Sequence, residues 1–319
     1  MEIKQNSVSQ ITISAAQAGQ RIDNFLLKHL KGVPKSHVYR LLRSGQVRVN
    51  SGRKKPHYKL CANDILRLPP VRISENQNNP VPEAVIQLLK DAIIFEDDNI
   101  IAINKPSGIA VHKGSGLSFG VIEAFRQIDP EQPLELVHRL DRETSGCLLL
   151  AKNRQVLAQL HEMLRHETVI HMEKTYLALL DGVWTQGRKT VDAGISKIKR
   201  GGEHLMQIDD NGDRALSHFE PVEIFEHAPR PCSLMQITID TGRTHQIRVH
   251  AQHCGHAILG DSKYGDKEAN RVFRESGLKR LFLHAKRLYL PLPDPITLNA
   301  PLSDELQRLL QKLREPPPQ

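Results

Sequence analysis

The sequence predicts an α+β protein in two parts, a small basic N-terminal domain followed by a larger domain with one sizeable core. Three observations carry this. The 319 residues are 39% hydrophobic, enough for one large core and a modest companion. A polar stretch over 72–83, with Asn78, Asn79, Pro80 and Pro82, reads as a linker between domains at 1–71 and 84–319. Beyond it, strand-like and helix-like runs alternate without the regular phasing of βαβ units, which points to α+β.

The elements follow in order. Residues 21–31 place Ile22, Phe25, Leu26 and Leu30 at helical spacing, and Gly32 fits just past the end. Ser36 can cap a second helix running to Arg43, with Val38, Leu41 and Leu42 on one face and Gly45 closing it. Residues 46–50 alternate as a short strand, Ser51-Gly52 makes a turn, and 65–68 reads as another strand stopped by Pro69-Pro70. The folded core of this domain is expected within 18–70. In the larger domain, strands are expected at 93–96 and 100–104 around an Asp97-Asp98-Asn99 turn, with Lys105-Pro106-Ser107-Gly108 breaking the second. A helix is expected from Ser118, apolar strands at 134–137 and 147–151, and an Asn153-capped helix to Arg165. Strands at 173–180 and 235–240 follow, then helices at 248–254, ended by Gly255, and at 303–314, before a Pro-rich tail.

Composition narrows the function. No apolar run reaches the roughly 18 residues of a membrane helix, and the polar first ten residues carry no signal pattern, so a cytoplasmic location is expected. Cys61, Cys147, Cys232 and Cys254 are scattered without a C-x-x-C pair and read as reduced thiols. The net charge of +8 favours a polyanionic partner. Much of it clusters in the small domain at Arg40, Arg43, Arg48, Arg53, Lys54, Lys55 and Lys59. That is either a solvated basic face or a docking surface for phosphates.

The densest chemistry lies at 138–146, "HRLDRETSG", a polar cluster between two apolar strands. Such a cluster must satisfy itself internally or serve a ligand. A nucleophilic carboxylate must be ionised and positioned, and flanking guanidiniums help with ionisation. Spacing alone leaves a salt-bridged surface turn as an equal alternative. Four further segments stand out: 96–112 ("EDDNIIAINKPSGIAVH"), 173–180 ("EKTYLALL"), 241–250 ("TGRTHQIRVH") and 281–285 ("LFLHA").

These five segments, in this order, resemble the motifs of the RluA family of pseudouridine synthases, and with "GSGLSFGVIE" (114–123) they are most similar to its branch acting on the ribosomal large subunit. The stretch "GQRIDNFLLKHLKGVPKSHVYRLLRSGQVRVNSGRKKP" resembles the small RNA-binding domain of a small-subunit ribosomal protein, which favours docking for the basic cluster. The resemblance implies a mixed, largely antiparallel central sheet with flanking helices, preceded by a small α/β domain. It implies isomerisation of uridines in large-subunit ribosomal RNA, or in assembly intermediates, by a monomer. Residue by residue, Asp141 matches the catalytic aspartate and Arg248 the arginine that pairs with it. Tyr176 matches the tyrosine at the target base, Arg139 the residue that fills the space left by the flipped uridine, and Leu283 an apolar contact to the base. His138 and Arg243 lie in the same motifs and join the expected substrate-binding set. The segment 165–176, "RHETVIHMEKTY", is a few residues longer than this branch leads one to expect.

The chemistry fits these roles. A uridine must leave its stack before its glycosidic bond is reachable. A carboxylate can then stabilise or trap positive charge at the sugar, as in glycosidases. The isomerisation changes no oxidation state and transfers no phosphate, so no cofactor is expected. The histidines at 245, 250, 253 and 256 invite a metal reading, but they lack convergence from one helix face, and no metal is expected. Ser145, His138 and Asp141 sit too close together in one turn for a hydrolase triad, and there is no G-x-S-x-G elbow. Transfer RNA as substrate, or an RNA-binding assembly factor without catalysis, are the rival readings.

Overall fold

The computed structural model describes residues 8–30, 33, 35–70, 80–114, 118–165, 171–200 and 202–315. Gly32, residues 72–79 of the expected linker, residues 115–117, most of the long 165–173 loop (166–170) and the tail 316–319 lie outside the described residues. The chain divides into two compact units, 1–79 and 80–319.

The first unit runs β1 (Ser9–Thr12), α1 (Ile22–His29), α2 (Lys35–Arg43), β2 (Arg48–Val49) and β3 (Ile65–Leu68). β3 lies between β1 and β2, antiparallel to both. α1 buries Ile22, Phe25 and Leu26, and α2 buries Val38, Leu41 and Leu42, the i, i+3, i+4 stripe that the spacing predicts. The strand expected over 46–50 shortens to two residues, because Asn50 and Ser51 both turn left-handed and Val49 and Gly52 exchange backbone hydrogen bonds. β1 escapes sequence reading because its four residues, SQIT, carry only one apolar residue, Ile11.

The second unit continues with α3 (Glu83–Asp91), β4 (Ile93–Glu96), β5 (Ile100–Lys105), α4 (Val121–Ile128), β6 (Glu135–Leu136), β7 (Ser145–Ala151), α5 (Arg154–Leu164), β8 (Glu173–Asp181), β9 (Lys189–Asp192), β10 (Ile195–Arg200), β11 (Glu203–Ile208), β12 (Leu216–Phe225), β13 (Cys232–Ile239), α6 (Gln246–His253), α7 (Lys267–Glu275), β14 (Leu283–Leu290), β15 (Ile296–Asn299) and α8 (Asp304–Arg314). Ten strands form one sheet ordered β4-β5-β7-β14-β8-β13-β12-β9, with β15 on β14 and β6 on β7. Every pairing in it is antiparallel except β14 with β7, so the sheet is mixed and largely antiparallel. β10 and β11 make a separate hairpin.

The central strands β7 and β8 are apolar on both faces, since helices and loops cover both sides. One core packs Leu148, Tyr176, Ala178, Ile237 and Leu283 under α3, α4 and α6. The other packs Cys147, Leu149, Ala151 and Ile100 against Leu160 of α5. The parallel pair needs close backbone approach. Gly146 sits at φ 109°, and a Cβ there would collide with the backbone of Ala285. α3 begins at Glu83, inside the stretch read as linker, because Pro82 serves as its N-cap residue and Ile86 and Leu89 reach the core. α4 starts at Val121 rather than Ser118, after an extended Gly120. α6 starts at Gln246, two residues before expectation.

Candidate active site

Four segments, distant in sequence, line one cavity of about 70 Å³: the loop before β7 (Arg139, Leu140, Asp141, Thr144), β8 (Tyr176), the end of β13 with the start of α6 (Ile239, Gly242, Arg243, His245 to Arg248), and β14 (Leu283). A wider cleft of about 320 Å³ opens on Asp141 as well, lined by Val111, His112, Arg142, Glu143, His245 and Lys263 among others.

The Asp141 turn is held from beneath. Lys105, wholly buried at the end of β5, donates all its ammonium hydrogens to carbonyls: Pro106 at 2.9 Å, Ile109 at 2.8 Å and Arg142 at 3.2 Å. Burial pushes its pKa down to about 7, with Arg280 adding to the fall and Asp141 opposing it. Ser107 Oγ donates to Glu143 O at 2.7 Å and Gly108 N–H to Arg142 O at 2.8 Å. The Lys-Pro-Ser-Gly stretch that breaks β5 thus clasps residues 142–143, just beyond the carboxylate.

Asp141 is 28% exposed, and its Oδ2 receives Arg248 Nη1 at 3.4 Å. Arg248 is almost wholly buried on α6, and its main partner is another carboxylate. Nε and Nη2 fork onto Asp261 at 2.7 and 2.8 Å, while Glu143 stands 3.8 Å from Nη2. Asp261 is fully buried and also accepts the N–H groups of Lys263 at 2.8 Å and Tyr264 at 3.1 Å. Burial would raise its pKa, but the Arg248 bonds and charge and these backbone donors outweigh that and hold it below the ordinary carboxylate range. Sequence reasoning missed Asp261. Its one signal was a carboxylate directly after the apolar run Ala257-Ile258-Leu259-Gly260.

Tyr176 and Leu283 are diagonal neighbours on adjacent strands, Tyr176 opposite Ala285 and Leu283 opposite Ala178, and both are buried. Burial, then the charge of Asp141, pushes the Tyr176 phenol well above its usual range, so it stays protonated at neutral pH. Arg139 is exposed at the cavity lip. Arg243 is exposed too, its Nε donating to Arg214 O at 3.0 Å.

His138 does not line this cavity. Its Nε2 accepts the Leu149 N–H at 3.2 Å, and burial pulls its pKa down to about 4, so it is a neutral tether between the loop and β7. Ser145 also points elsewhere, bonding His284 Nδ1 at 2.8 Å and Arg280 Nη2 at 2.6 Å, so the superficial Ser-His-Asp set does not converge. His250 bonds Ser217 Oγ and Ala193 O, and His256 bonds Asp181 O. In the first unit, Arg40, Arg43, Arg48, Arg53 and Lys55 are exposed, and Lys54 lies 4.5 Å over the Tyr58 ring. Among the described residues, none of these six forms a salt bridge.

Residues 99–253 match the family described as RNA pseudouridylate synthase, and residues 20–66 match the S4 domain. The chain is 50% identical over 316 residues to a ribosomal large subunit pseudouridine synthase C from Pasteurella multocida, covering 97% of this chain and 95% of that one. It is 48% identical over 321 residues to the protein of the same name from Haemophilus influenzae, covering 98% of each. Among solved structures it is similar to human RNA pseudouridylate synthase domain containing 4, with a TM-score of 0.58 and 25% identity over 73% of this chain and 97% of that one.

Proposed function

The chain belongs to the RluA family of RNA pseudouridine synthases, and from that premise we propose that it isomerises specific uridines of large-subunit ribosomal RNA with Asp141 as the catalytic carboxylate. The observation that carries the reading is the convergence on one cavity of Asp141, Arg248, Tyr176 and Leu283 from four separate segments. The relatives, ribosomal large subunit pseudouridine synthases, supply the substrate class.

The reaction breaks the bond between the sugar and the ring nitrogen, turns the base, and joins a ring carbon to the same sugar carbon. The ring carbon's hydrogen leaves as a proton and the ring nitrogen gains one, so nothing is oxidised and no water is consumed. Asp141 meets the positive charge that develops at the sugar. Arg248, locked by Asp261, keeps a cation beside that carboxylate without moving. Leu283 and the neutral Tyr176 ring form an apolar seat for the extruded base. The high phenol pKa favours Tyr176 as a packing and hydrogen-bonding group rather than as the base that takes the ring proton. Arg139, at the lip, is suited to fill the gap left in the RNA stack. The first unit supplies phosphate contacts through Arg40, Arg43, Arg48, Arg53, Lys54 and Lys55.

The test is carbodiimide-based mapping of pseudouridine after purified protein is incubated with unmodified large-subunit ribosomal RNA, with transfer RNA in a parallel arm. Wild type is expected to modify discrete ribosomal uridines, and Asp141→Asn none. Modification confined to transfer RNA, or turnover by Asp141→Asn, refutes the reading.

A further inference from the structure

The start of α6 holds a second group aimed at the carboxylate that sequence comparison of roles does not assign. His245, the residue before α6, sits at φ 56° and ψ 19°, a left-handed conformation that side chains other than glycine adopt only where their surroundings hold them. That backbone sends its imidazole between the two cavities that meet at Asp141, and it lines both. Its Nε2 lies 3.8 Å from Asp141 Oδ2, the same oxygen that Arg248 approaches. Among the described residues, the one side-chain hydrogen bond to Asp141 falls on Oδ2, and Oδ1 accepts none.

The other ring nitrogen is fixed. His245 Nδ1 lies 2.7 Å from the Tyr264 hydroxyl, with the two rings edge to face at 5.4 Å. The same hydroxyl accepts the Met206 N–H of β11 at 2.9 Å. A backbone amide can only donate, which leaves the hydroxyl's own hydrogen available to Nδ1. A carboxylate can only accept, so the hydrogen of a neutral imidazole belongs on Nε2, facing Asp141. Burial lowers the His245 pKa, with Arg248 and Lys263 adding to the fall against the pull of Asp141, which keeps the ring in this neutral form. Tyr264 is itself seated with Ile195, Ala215 and Val249 and lies 5.1 Å beneath the Arg248 guanidinium.

We propose that His245 is a positioning residue for the isomerisation: its Nε2–H, oriented by the Tyr264 hydroxyl, joins Arg248 in holding Oδ2 of Asp141 so that Oδ1 is presented to the sugar. The inference rests on Asp141 being the catalytic carboxylate. Catalytic hydrogen bonds are commonly long before substrate arrives, and the 3.8 Å gap closes with a small movement of either side chain.

The test is the single-turnover rate at saturating protein, with RNA affinity measured alongside, for His245→Ala, His245→Gln, Tyr264→Phe and the double variant His245→Gln/Tyr264→Phe. His245→Ala is expected to slow the chemical step about 10- to 100-fold, the scale of one hydrogen bond to a charged group, while affinity moves less than about threefold. His245→Gln, whose amide hydrogen reaches the Nε2 position without needing a tautomer, is expected to recover most of the rate. Tyr264→Phe keeps the ring under Arg248 and removes only the hydroxyl. It is expected to slow wild type but to add little to His245→Gln. A wild-type rate for His245→Ala overturns the proposal, as do equal losses for Ala and Gln. Asp141→Asn runs in the same assay. If it is inactive while His245→Ala is fully active, only the His245 proposal falls. If Asp141→Asn turns over, the assignment of Asp141 falls first.

Discussion

Replacing Arg248 alone confuses two effects, and the structure shows how to separate them. Arg248→Met deletes a guanidinium that contacts Asp141 at 3.4 Å and also strips Asp261, a fully buried carboxylate, of its two-pronged partner. Breaking a buried pair from one side costs about 3–5 kcal/mol, because the remaining charge stays desolvated and unpaired. The two amide donors on Asp261 offset only part of that. Replacing both partners by apolar residues of similar volume is often nearly neutral. Arg248→Met should therefore lose about 3–5 kcal/mol in urea unfolding, and Arg248→Met/Asp261→Leu should regain part of it, the remainder reflecting the Lys263 and Tyr264 N–H groups left without an acceptor. The chemistry should behave differently. Neither variant keeps the guanidinium that contacts Asp141, so both should lose at least about 100-fold in single-turnover rate, the scale of a removed preorganised charge. The decisive result is the double variant measured by both assays. A stable double variant with wild-type rate would show that the guanidinium is structural. A single variant as stable as wild type would show that the Asp261 pair does not hold α6 in place.

Three further outcomes follow from other parts of the molecule. Changing Arg40, Arg43, Arg48 and Lys55 together to Gln should weaken RNA binding and reduce the slope of log affinity against log salt by about 3, leaving the saturated rate unchanged; an unaltered slope in filter binding refutes phosphate docking by this face. Burial, helped by the charges of Arg280 and Lys286, holds the His284 pKa at about 4 against an ordinary 6.5, and the hydrogen bond to Ala300 O at 3.0 Å opposes only part of that fall. The unfolded chain takes up that proton first, so the contribution is complete above pH 6.5 and is lost as pH falls toward 4, an effect of about 3 kcal/mol. His284→Gln should show a correspondingly flatter stability–pH curve over that window in urea titrations, and an unchanged curve would refute the assignment. Gly146→Ala forces a side chain onto a φ of 109° against the Ala285 backbone, and should cost at least about 2 kcal/mol with a lowered thermal midpoint; an unmoved midpoint would mean that β7 and β14 can part.

Periodicity, with cap and stop residues, located α1, α2, α5 and α8, because each presents an apolar stripe at helical spacing that survives any tertiary arrangement. It failed for α3 and for the strands β9 to β12, whose short or partly polar runs become regular only once a neighbour supplies the other half of each hydrogen bond. The strings around Asp141, Tyr176, Arg248 and Leu283 marked those residues through their resemblance to family motifs, while spacing alone left the Asp141 cluster open to a surface-turn reading. What each side chain does with its spare bonding capacity was not readable there. His138 stands three residues before Asp141 in the sequence, yet it bonds β7 and not the cavity. Asp261 and Tyr264 lie 120 or more positions from Asp141 and carry no local signature, yet they lock Arg248 and His245 beside it. Sequence by itself determined which residue types are available and which segments are regular. Tertiary structure decided who pairs with whom, because a buried charge or hydroxyl must find its partner wherever the fold happens to bring one within about 3 Å.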